Sequence, residues 1–296
     1  MNNMKFYFYL FGATFLWGLQ PVMMKILLMQ YTTITVVVVR CFLMIICYFC
    51  LVYLNNSTIK IPTKKQILTL IFIGFCSIPL NNITQFEGLH YTTAFNCTLL
   101  GATVPAMVAI LAYFILREHL SGIQWIGIVI SFIGVCYMLS HGNIDNLLNS
   151  KFNIGDILIL ISEIGWSLYI VFSRQVMQLL SPLQTSAWAN LFGTLILLPY
   201  VFNSGQFLLY YPSMNSVIAL VYVVLFSGVM AGILWNVGVK YIGASKSAIF
   251  SNVTPVTGLI FGNLILNEAF GIDEIVGIVI VGIGVYLLIS LRPKIF

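Results

Sequence analysis

The sequence predicts an all-α membrane protein with ten transmembrane helices, arranged as two inverted five-helix repeats. Of its 296 residues, 60% are apolar and 7% are charged. A soluble domain carries about 25% charged residues to cover its water-facing surface, so this composition is typical of a membrane protein. Long apolar runs recur along the whole chain, and the two halves of the chain align with each other at a nearly constant spacing.

The apolar runs are the basis for the helix count. One bilayer crossing needs about 20 apolar residues in a helix, and continuously apolar runs favour helices over the alternating strands of a barrel. The ten predicted spans lie near residues 6–28, 34–54, 66–86, 93–116, 122–140, 155–176, 184–202, 216–238, 245–266 and 272–291. The first run is too long for a signal-peptide core, so we interpret it as an uncleaved first span.

The positive charges predict the orientation. An even number of spans places both termini on the same side of the membrane. If that side is the cytoplasm, ten of the thirteen Lys and Arg residues lie in inside segments, in agreement with the positive-inside rule. The sequence therefore predicts a multi-pass membrane protein with both termini in the cytoplasm.

Internal similarity divides the chain into two units. A shift of 150 residues pairs a tyrosine, a proline and a glutamate with the same residue types: Tyr91 with Tyr241, Pro105 with Pro255, and Glu118 with Glu268. A shift of 149 residues pairs Trp17 with Trp166, and Lys25 with Arg174. Over 91–140 and 241–290, fifteen of fifty positions are identical.

These pairs predict a first five-helix unit at 1–140, an outside connecting loop at 141–154 and a second five-helix unit at 155–296. Five is an odd number, so the second unit enters the membrane from the side opposite to the first. Inverted repeats of this kind recur in secondary transporters, because two pseudo-symmetric halves can exchange an inward-open for an outward-open arrangement.

The order of the motifs resembles the EamA-type drug/metabolite transporter superfamily. The residues that carry the resemblance are Trp17-Gly18, Lys25, Arg40-Cys41-Phe42, Pro105 followed by Glu118, Pro255 followed by Glu268, Gly127 with Gly134, and Gly277 with Gly284. The resemblance implies a ten-helix carrier of the bacterial inner membrane, often an exporter of amino acids or other metabolites, with a central cavity between the repeats. Two features depart from the pattern: Gln20-Pro21 follows the first Trp-Gly, and Glu163 lies deep in the sixth span.

Glu163 is the most informative single residue. An ionisable group deep in a span costs several kcal/mol and usually faces a cavity or a partner. One interpretation is a coupling site for a proton or another cation, with Arg40, which is also intramembrane, as the second candidate coupling residue. The other interpretation is a purely structural pair of Glu163 with Arg40. Trp166 and Ser167 share the helical face of Glu163, while Tyr169 lies further round.

Aromatic and amide side chains are the candidate substrate-binding residues. Trp17 and Gln20 on the first span would face Glu163 and Trp166 on the sixth. Polar or aromatic groups in other spans join them as candidates: Asn82, Trp235, Asn236 and Asn252. Amides match the ammonium and carboxylate of an amino acid or a neutral polar metabolite. The alternative is that the tryptophans pack the repeat interface and the amides satisfy freed carbonyls or anchor span ends.

Pro105 and Pro255 are candidate hinges, because each removes a backbone donor midway along a span and permits a kink. We expect Lys25 and Arg174 to snorkel to opposite membrane surfaces. Glu118 is expected to hydrogen-bond with a neighbouring turn, and a role in gating is the alternative.

The composition also excludes several functions. The net charge of +5 is thinly spread, which excludes a nucleic-acid partner. No nucleotide-binding loop, metal-ligand spacing or nucleophile constellation is present in the spans, so neither an enzyme nor a cofactor is expected. The partners expected are the lipid bilayer and a small-molecule substrate. A secondary transporter is the first hypothesis; a translocator of lipid-linked substrates and a non-transporting membrane subunit are the alternatives.

Overall fold

The computed structural model describes residues 4–55, 60–92, 97, 100–140, 142–148, 153–205, 207, 211–266 and 271–290. Within these ranges all regular structure is helical and no strand is present. Six helical segments are long and apolar enough to cross a membrane: Met4–Leu28, Thr33–Leu54, Lys64–Tyr91, Ile154–Val176, Pro182–Asn203 and Met214–Ile242. Three shorter apolar helices accompany them: Val104–Leu116, Gly122–Tyr137 and Ile275–Leu287. A multi-pass helical membrane protein is confirmed, and the count of ten spans stays a prediction.

Within the described residues, the first half of the chain contains six helices with defined bounds and one π-helical segment. The helices are α1 (Met4–Leu28), α2 (Thr33–Leu54), α3 (Lys64–Phe75), α4 (Thr84–Tyr91), α5 (Val104–Leu116) and α6 (Gly122–Leu139). The segment Cys76–Ile83 joins α3 to α4 with π-helical hydrogen bonding. Hydroxyl caps determine where helices start: the Thr32 Oγ1 accepts from the Thr35 backbone N–H at 3.2 Å, so α2 begins directly after it.

The second half repeats this pattern. Its helices are α7 (Ile144–Leu148), α8 (Ile154–Val176), α9 (Pro182–Ser204), α10 (Met214–Val221), α11 (Ala231–Ile242), α12 (Ala244–Ala248), α13 (Val253–Leu266) and α14 (Ile272–Ser290). A second π-helical segment, Tyr222–Met230, joins α10 to α11, and a 3₁₀ turn, Ile249–Asn252, joins α12 to α13. Each half thus contains one long span interrupted by a π-helical segment, and such segments are frequent at functional sites.

The two halves pack against each other through matching pairs of helices. Helix α1 packs on α11 and α13 of the second half, and α8 packs on α3, α4 and α5 of the first half. Helix α2 packs on α9, and α6 packs on α14. The 149-residue shift equates α1 with α8. The helices of the second half that α1 contacts are the equivalents of the helices of the first half that α8 contacts.

The α6–α14 contact explains one glycine pattern. A Cβ atom at Gly134 would lie 2.8 Å from the Val281 backbone nitrogen, and one at Gly284 would lie 2.6 Å from the Gly127 carbonyl oxygen. Both distances are too short for any side chain. The repeated glycines therefore allow the backbones of these two helices to touch.

Polar and apolar residues are distributed as expected for a protein in lipid. Large apolar side chains such as Phe8, Phe42 and Phe114 are exposed on the outer faces of the helices. Several charged and amide side chains within the spans are buried instead, among them Arg40, Glu163 and Asn236. The buried polar groups lie where the halves meet, so the interface between them holds the candidate site.

Candidate functional site

Three tryptophans from three spans meet between the two halves. The ring centroid of Trp17 in α1 lies 5.4 Å from that of Trp166 in α8 and 5.0 Å from that of Trp235 in α11. The Trp166 and Trp235 centroids are 5.9 Å apart. Tyr169 stacks on Trp166 at 5.1 Å, although the sequence placed it further round the helix. We call Trp17, Trp166, Tyr169 and Trp235 the aromatic cluster.

The π-helical segment Tyr222–Met230 positions the first tryptophan. The Trp17 Nε1 donates to the Ser227 carbonyl oxygen at 2.9 Å, and the Ser227 hydroxyl donates to the Gln20 Oε1. A π-helical segment breaks the regular α-helical ladder and so leaves carbonyl oxygens for side-chain donors. Gln20 is therefore held beside the cluster, one helical turn from Trp17.

Asn236 of α11 fixes the side chain of Tyr169 in α8. Its Nδ2 donates to the Tyr169 hydroxyl oxygen at 2.7 Å and to the Ser186 Oγ at 2.9 Å. The Asn236 Oδ1 and the Trp235 Nε1 have no hydrogen-bond partner among the described residues, and both side chains are only 1% exposed. An unpaired buried polar group is costly. The aromatic cluster therefore adjoins one free donor and one free acceptor.

Glu163 lies one turn before Trp166 and is 6% exposed. Its Oε1 accepts a long hydrogen bond of 3.5 Å from the Gln85 Nε2 in α4. A Cβ atom at Gly101 would lie 3.7 Å from the same oxygen. Within the described part of the chain, the carboxylate forms no salt bridge. This environment suits a group that exchanges a proton or meets a cationic ligand.

Arg40 does not pair with Glu163, contrary to the structural interpretation of the sequence. Its Nε donates to the Val223 carbonyl oxygen at 3.2 Å, and its Nη1 donates to the Asn82 Oδ1 at 3.3 Å. The Asn82 Nδ2 in turn donates to the Ser77 carbonyl oxygen at 2.8 Å. Both carbonyls belong to the π-helical segments. Asn82 therefore supports Arg40, and no described contact joins it to the aromatic cluster.

Asn252 lies apart from the aromatic cluster. Its Nδ2 donates to the Ser131 Oγ at 2.8 Å, toward α6, and its side chain is fully buried in the 3₁₀ turn. Its Oδ1 has no partner among the described residues. No described contact brings it to Trp235 or Glu163.

The two candidate hinges follow breaks in their spans. Pro105 is the second residue of α5 and follows a turn at 102–103, and Pro255 is the third residue of α13 and follows the 3₁₀ turn. In the first turn of a helix a proline removes no intrahelical hydrogen bond. Each proline thus lies midway along its predicted span, but in the first turn of the helix that the structure shows there. The hinge role stays a prediction.

Sequence reasoning missed two residues that hold the site together. Ser186 in α9 and Ser227 in the second π-helical segment each bridge a candidate residue to another span. Serine is common in membrane helices and nothing in its spacing distinguishes these two. Only the packing of the two halves shows their role.

Together, the fold and the buried site define a polytopic helical membrane protein with a polar and aromatic centre between two equivalent halves. The chain belongs to the EamA-like transporter family, whose model matches residues 4–140 and 153–290. The resemblance that the motifs predicted is confirmed. This membership supports a membrane transporter of a general kind, and it suggests a protein without enzymatic activity.

Several proteins resemble most of the chain. The uncharacterized transporter YyaM of Bacillus subtilis (strain 168) is 30% identical over 227 residues, covering 76% of this chain and 74% of that protein. The uncharacterized transporter YetK of the same organism is 30% identical over 235 residues, covering 78% and 71%. A solved structure described as "Crystal structure of protein" has a TM-score of 0.80 over 97% of each chain at 13% identity, which shows a shared fold.

Proposed function

We propose that this chain is a secondary active transporter that exports a small metabolite, an amino acid or related compound, across the cytoplasmic membrane by alternating access. The observation that carries the proposal is the aromatic cluster between the halves, beside the unpartnered Trp235 Nε1 and Asn236 Oδ1. A pocket that combines aromatic walls with a few convergent polar groups is typical of a binding site for a small molecule.

The transport cycle we propose uses two inverted units of five spans each, at 1–140 and 155–296, with both termini in the cytoplasm. Two observations support this architecture: the family model matches the chain twice, and the helices of the halves pack in matching pairs. The two units rock around the aromatic cluster, and the breaks before Pro105 and Pro255 absorb the bending.

In this proposal the substrate lies against the rings of Trp17, Trp166 and Trp235. Its own donor pairs with the Asn236 Oδ1 and its own acceptor pairs with the Trp235 Nε1. Glu163 takes up and releases a proton in each cycle, which couples export to the proton gradient. The absence of a salt bridge to Glu163 among the described residues supports this role, since a carboxylate that is permanently paired with a cation could not exchange protons as freely.

The test is an untargeted comparison of metabolites in cells that carry the gene, an empty vector or the Glu163→Gln variant. We expect at least one small polar compound to be enriched outside and depleted inside only with the wild-type gene. Identical metabolite profiles for the wild type and the empty vector, at confirmed expression, would reject export.

An apolar recess on the side of the molecule favours a lipid-linked substrate as the second candidate. It has a volume of about 320 Å³ and lies between the span Lys64–Tyr91 and helix α9. It is lined by Phe75, Pro79, Ile83, Ile196, Leu197 and Tyr200. Scrambling of a fluorescent phospholipid in vesicles that contain the protein tests this candidate, and scrambling no faster than in protein-free vesicles rejects it.

A further inference from the structure

A carboxylate connects the two halves at the end of the molecule where α1 begins. Glu118, between α5 and α6, forms a salt bridge to the Arg174 Nε at 2.8 Å. The same carboxylate accepts from the Ala244 N–H at 3.1 Å, the Ser245 N–H at 3.0 Å and the Ser245 hydroxyl at 2.8 Å. We call Glu118, Arg174, Ala244 and Ser245 the Glu118 latch.

The backbone on both sides is shaped to form this latch. Arg117 ends α5 with a φ of 55°, in the left-handed region. This turn lets the Glu118 N–H donate to the Ala112 carbonyl oxygen at 3.1 Å. Gly243 has a φ of 110°, and a Cβ atom there would lie 3.1 Å from the Arg174 Nη1 and 3.3 Å from the Glu118 Oε1. A larger residue at 243 would be strained and would crowd both charged groups.

The Glu118 latch holds three segments of the second half to one residue of the first half. Arg174 lies in the last turn of α8, and its Nη1 also donates to the Val239 carbonyl oxygen at 2.8 Å in the last turn of α11. Ala244 and Ser245 begin α12. At the same end Phe6 of α1 stacks on Tyr241, with ring centroids 4.3 Å apart. Any opening of this end between the halves must break the latch.

The latch is also suited to opening at low cost. The side chains of Arg174 and Glu118 are 26% and 18% exposed, so water can replace each hydrogen bond as it breaks. Separating a partly exposed ion pair costs far less than breaking a buried one, because water solvates both charges as they part. The latch thus has a specific closed geometry, and water can hydrogen-bond to Arg174 and Glu118 when these two residues separate.

We propose that the Glu118 latch is the gate that keeps this end of the protein closed in the conformation described, and that it separates when the central site opens to this side. The inference rests on the proposed alternating-access function. Arg174 therefore does more than extend to the membrane surface, which is the role predicted from the sequence. Glu118 bonds to residues of the other half, whereas the sequence predicted a hydrogen bond to a nearby turn.

Hydrogen exchange measured by mass spectrometry on the purified full-length protein tests the gate without a substrate. Glu118→Gln removes the salt bridge while keeping the size of the side chain, and we expect exchange of the amides of 242–249 to become about tenfold faster. Amides of 213–217, at the other end of the molecule, should keep their rates. Asp145→Asn is the matched control, because it removes an exposed carboxylate outside the latch.

A second reporter covers the case in which Glu118→Gln folds poorly. Arg174→Lys keeps the charge, and a cysteine introduced at the buried Ser247 reports opening by its rate of thiol labelling. We expect labelling to be faster in Arg174→Lys than in the parent, and slower than in Glu118→Gln where that variant folds. Unchanged exchange and labelling would overturn the gate, and so would equally faster exchange at both ends, which would show general destabilisation.

These results separate the gate from the proposed function. If exchange becomes faster only at 242–249 in Glu118→Gln and the wild type shows no solute flux, the gate is supported and transport is rejected. Solute flux with unchanged exchange in Glu118→Gln would keep transport and reject the gate.

Discussion

Arg40 and Glu163 are two charged residues deep in the spans, and their surroundings differ. Each is 6% exposed. Arg40 donates to the Val223 carbonyl oxygen and to Asn82, which is itself fixed by a further hydrogen bond. Among the described residues, the hydrogen bond of Glu163 is a long one of 3.5 Å from Gln85. One interpretation of the sequence paired the two residues, and the structure gives them different partners.

This difference teaches that burial of a charge does not by itself indicate function. Arg40 joins both π-helical segments, so its partners are structural and its removal leaves polar groups unpaired. Glu163 lies beside the aromatic cluster and has few fixed partners in the described part of the chain, which suits exchange of a proton or a ligand. We therefore expect variants of Glu163 to lose transport and variants of Arg40 to lose stability.

The largest effect is expected for Glu163→Gln. The amide keeps the size of the side chain but cannot load a proton, so transport driven by a proton gradient should be abolished while folding is retained. The measurement is flux of the identified metabolite in proteoliposomes with an imposed pH gradient. Asp145→Asn serves as the control and should transport like the wild type. Undiminished gradient-driven flux in Glu163→Gln would remove this residue from the coupling mechanism.

The next effect is loss of stability in Arg40→Met. The apolar side chain leaves the Asn82 Oδ1 and the Val223 carbonyl oxygen without their donor, at a cost of about 1–3 kcal/mol. Thermal unfolding in detergent should occur at a lower temperature than in the wild type and in Glu163→Gln. Lys25→Met is the control, because Lys25 is exposed. Equal unfolding temperatures for Arg40→Met and Glu163→Gln would contradict the difference drawn between these residues.

A smaller effect on binding is expected for Trp235→Phe. Phenylalanine keeps an aromatic ring but removes the unpartnered Nε1, so the substrate loses about one hydrogen bond and about tenfold in affinity. The half-saturating concentration of the transported metabolite measures this loss. The exposed Trp125 provides the matched Trp125→Phe control. If both variants saturate at the same concentration, the Trp235 Nε1 does not bind the substrate.

The smallest effect is expected for Tyr169→Phe. The change removes the hydroxyl that accepts from Asn236, but Ser186 still holds the amide. We expect a loss of affinity of about twofold to fivefold, against none for Tyr113→Phe, whose side chain is half exposed. An effect as large as that of Trp235→Phe would mean that Tyr169 binds the substrate directly.

The sequence predicted the elements that depend on local pattern. Apolar runs gave spans close to those observed, for example 155–176 against Ile154–Val176. Composition and the motifs predicted a membrane protein of the right family. The pairing of Trp17 with Trp166 came from internal similarity, and these two rings are in contact.

The features of the site that the sequence did not predict depend on contacts between segments that are far apart along the chain. The partners of Arg40 are carbonyl and amide groups of two π-helical segments, and no local pattern predicted those segments. Glu118 faces Ser245 across the two halves, a contact that its position at the end of a predicted span does not reveal. Ser186 acts only through its place beside Asn236. These roles follow from packing, which a single sequence does not specify.

Thiol labelling of a Ser167→Cys variant tests most directly whether the central site is reached from both sides of the membrane. Ser167 is fully buried next to Trp166, and its Oγ has no partner among the described residues. In a background without the native cysteines, a membrane-impermeant reagent should label residue 167 in both right-side-out and inside-out vesicles, because each orientation is sampled in turn. Labelling from one side only, under every substrate and gradient condition, would contradict alternating access.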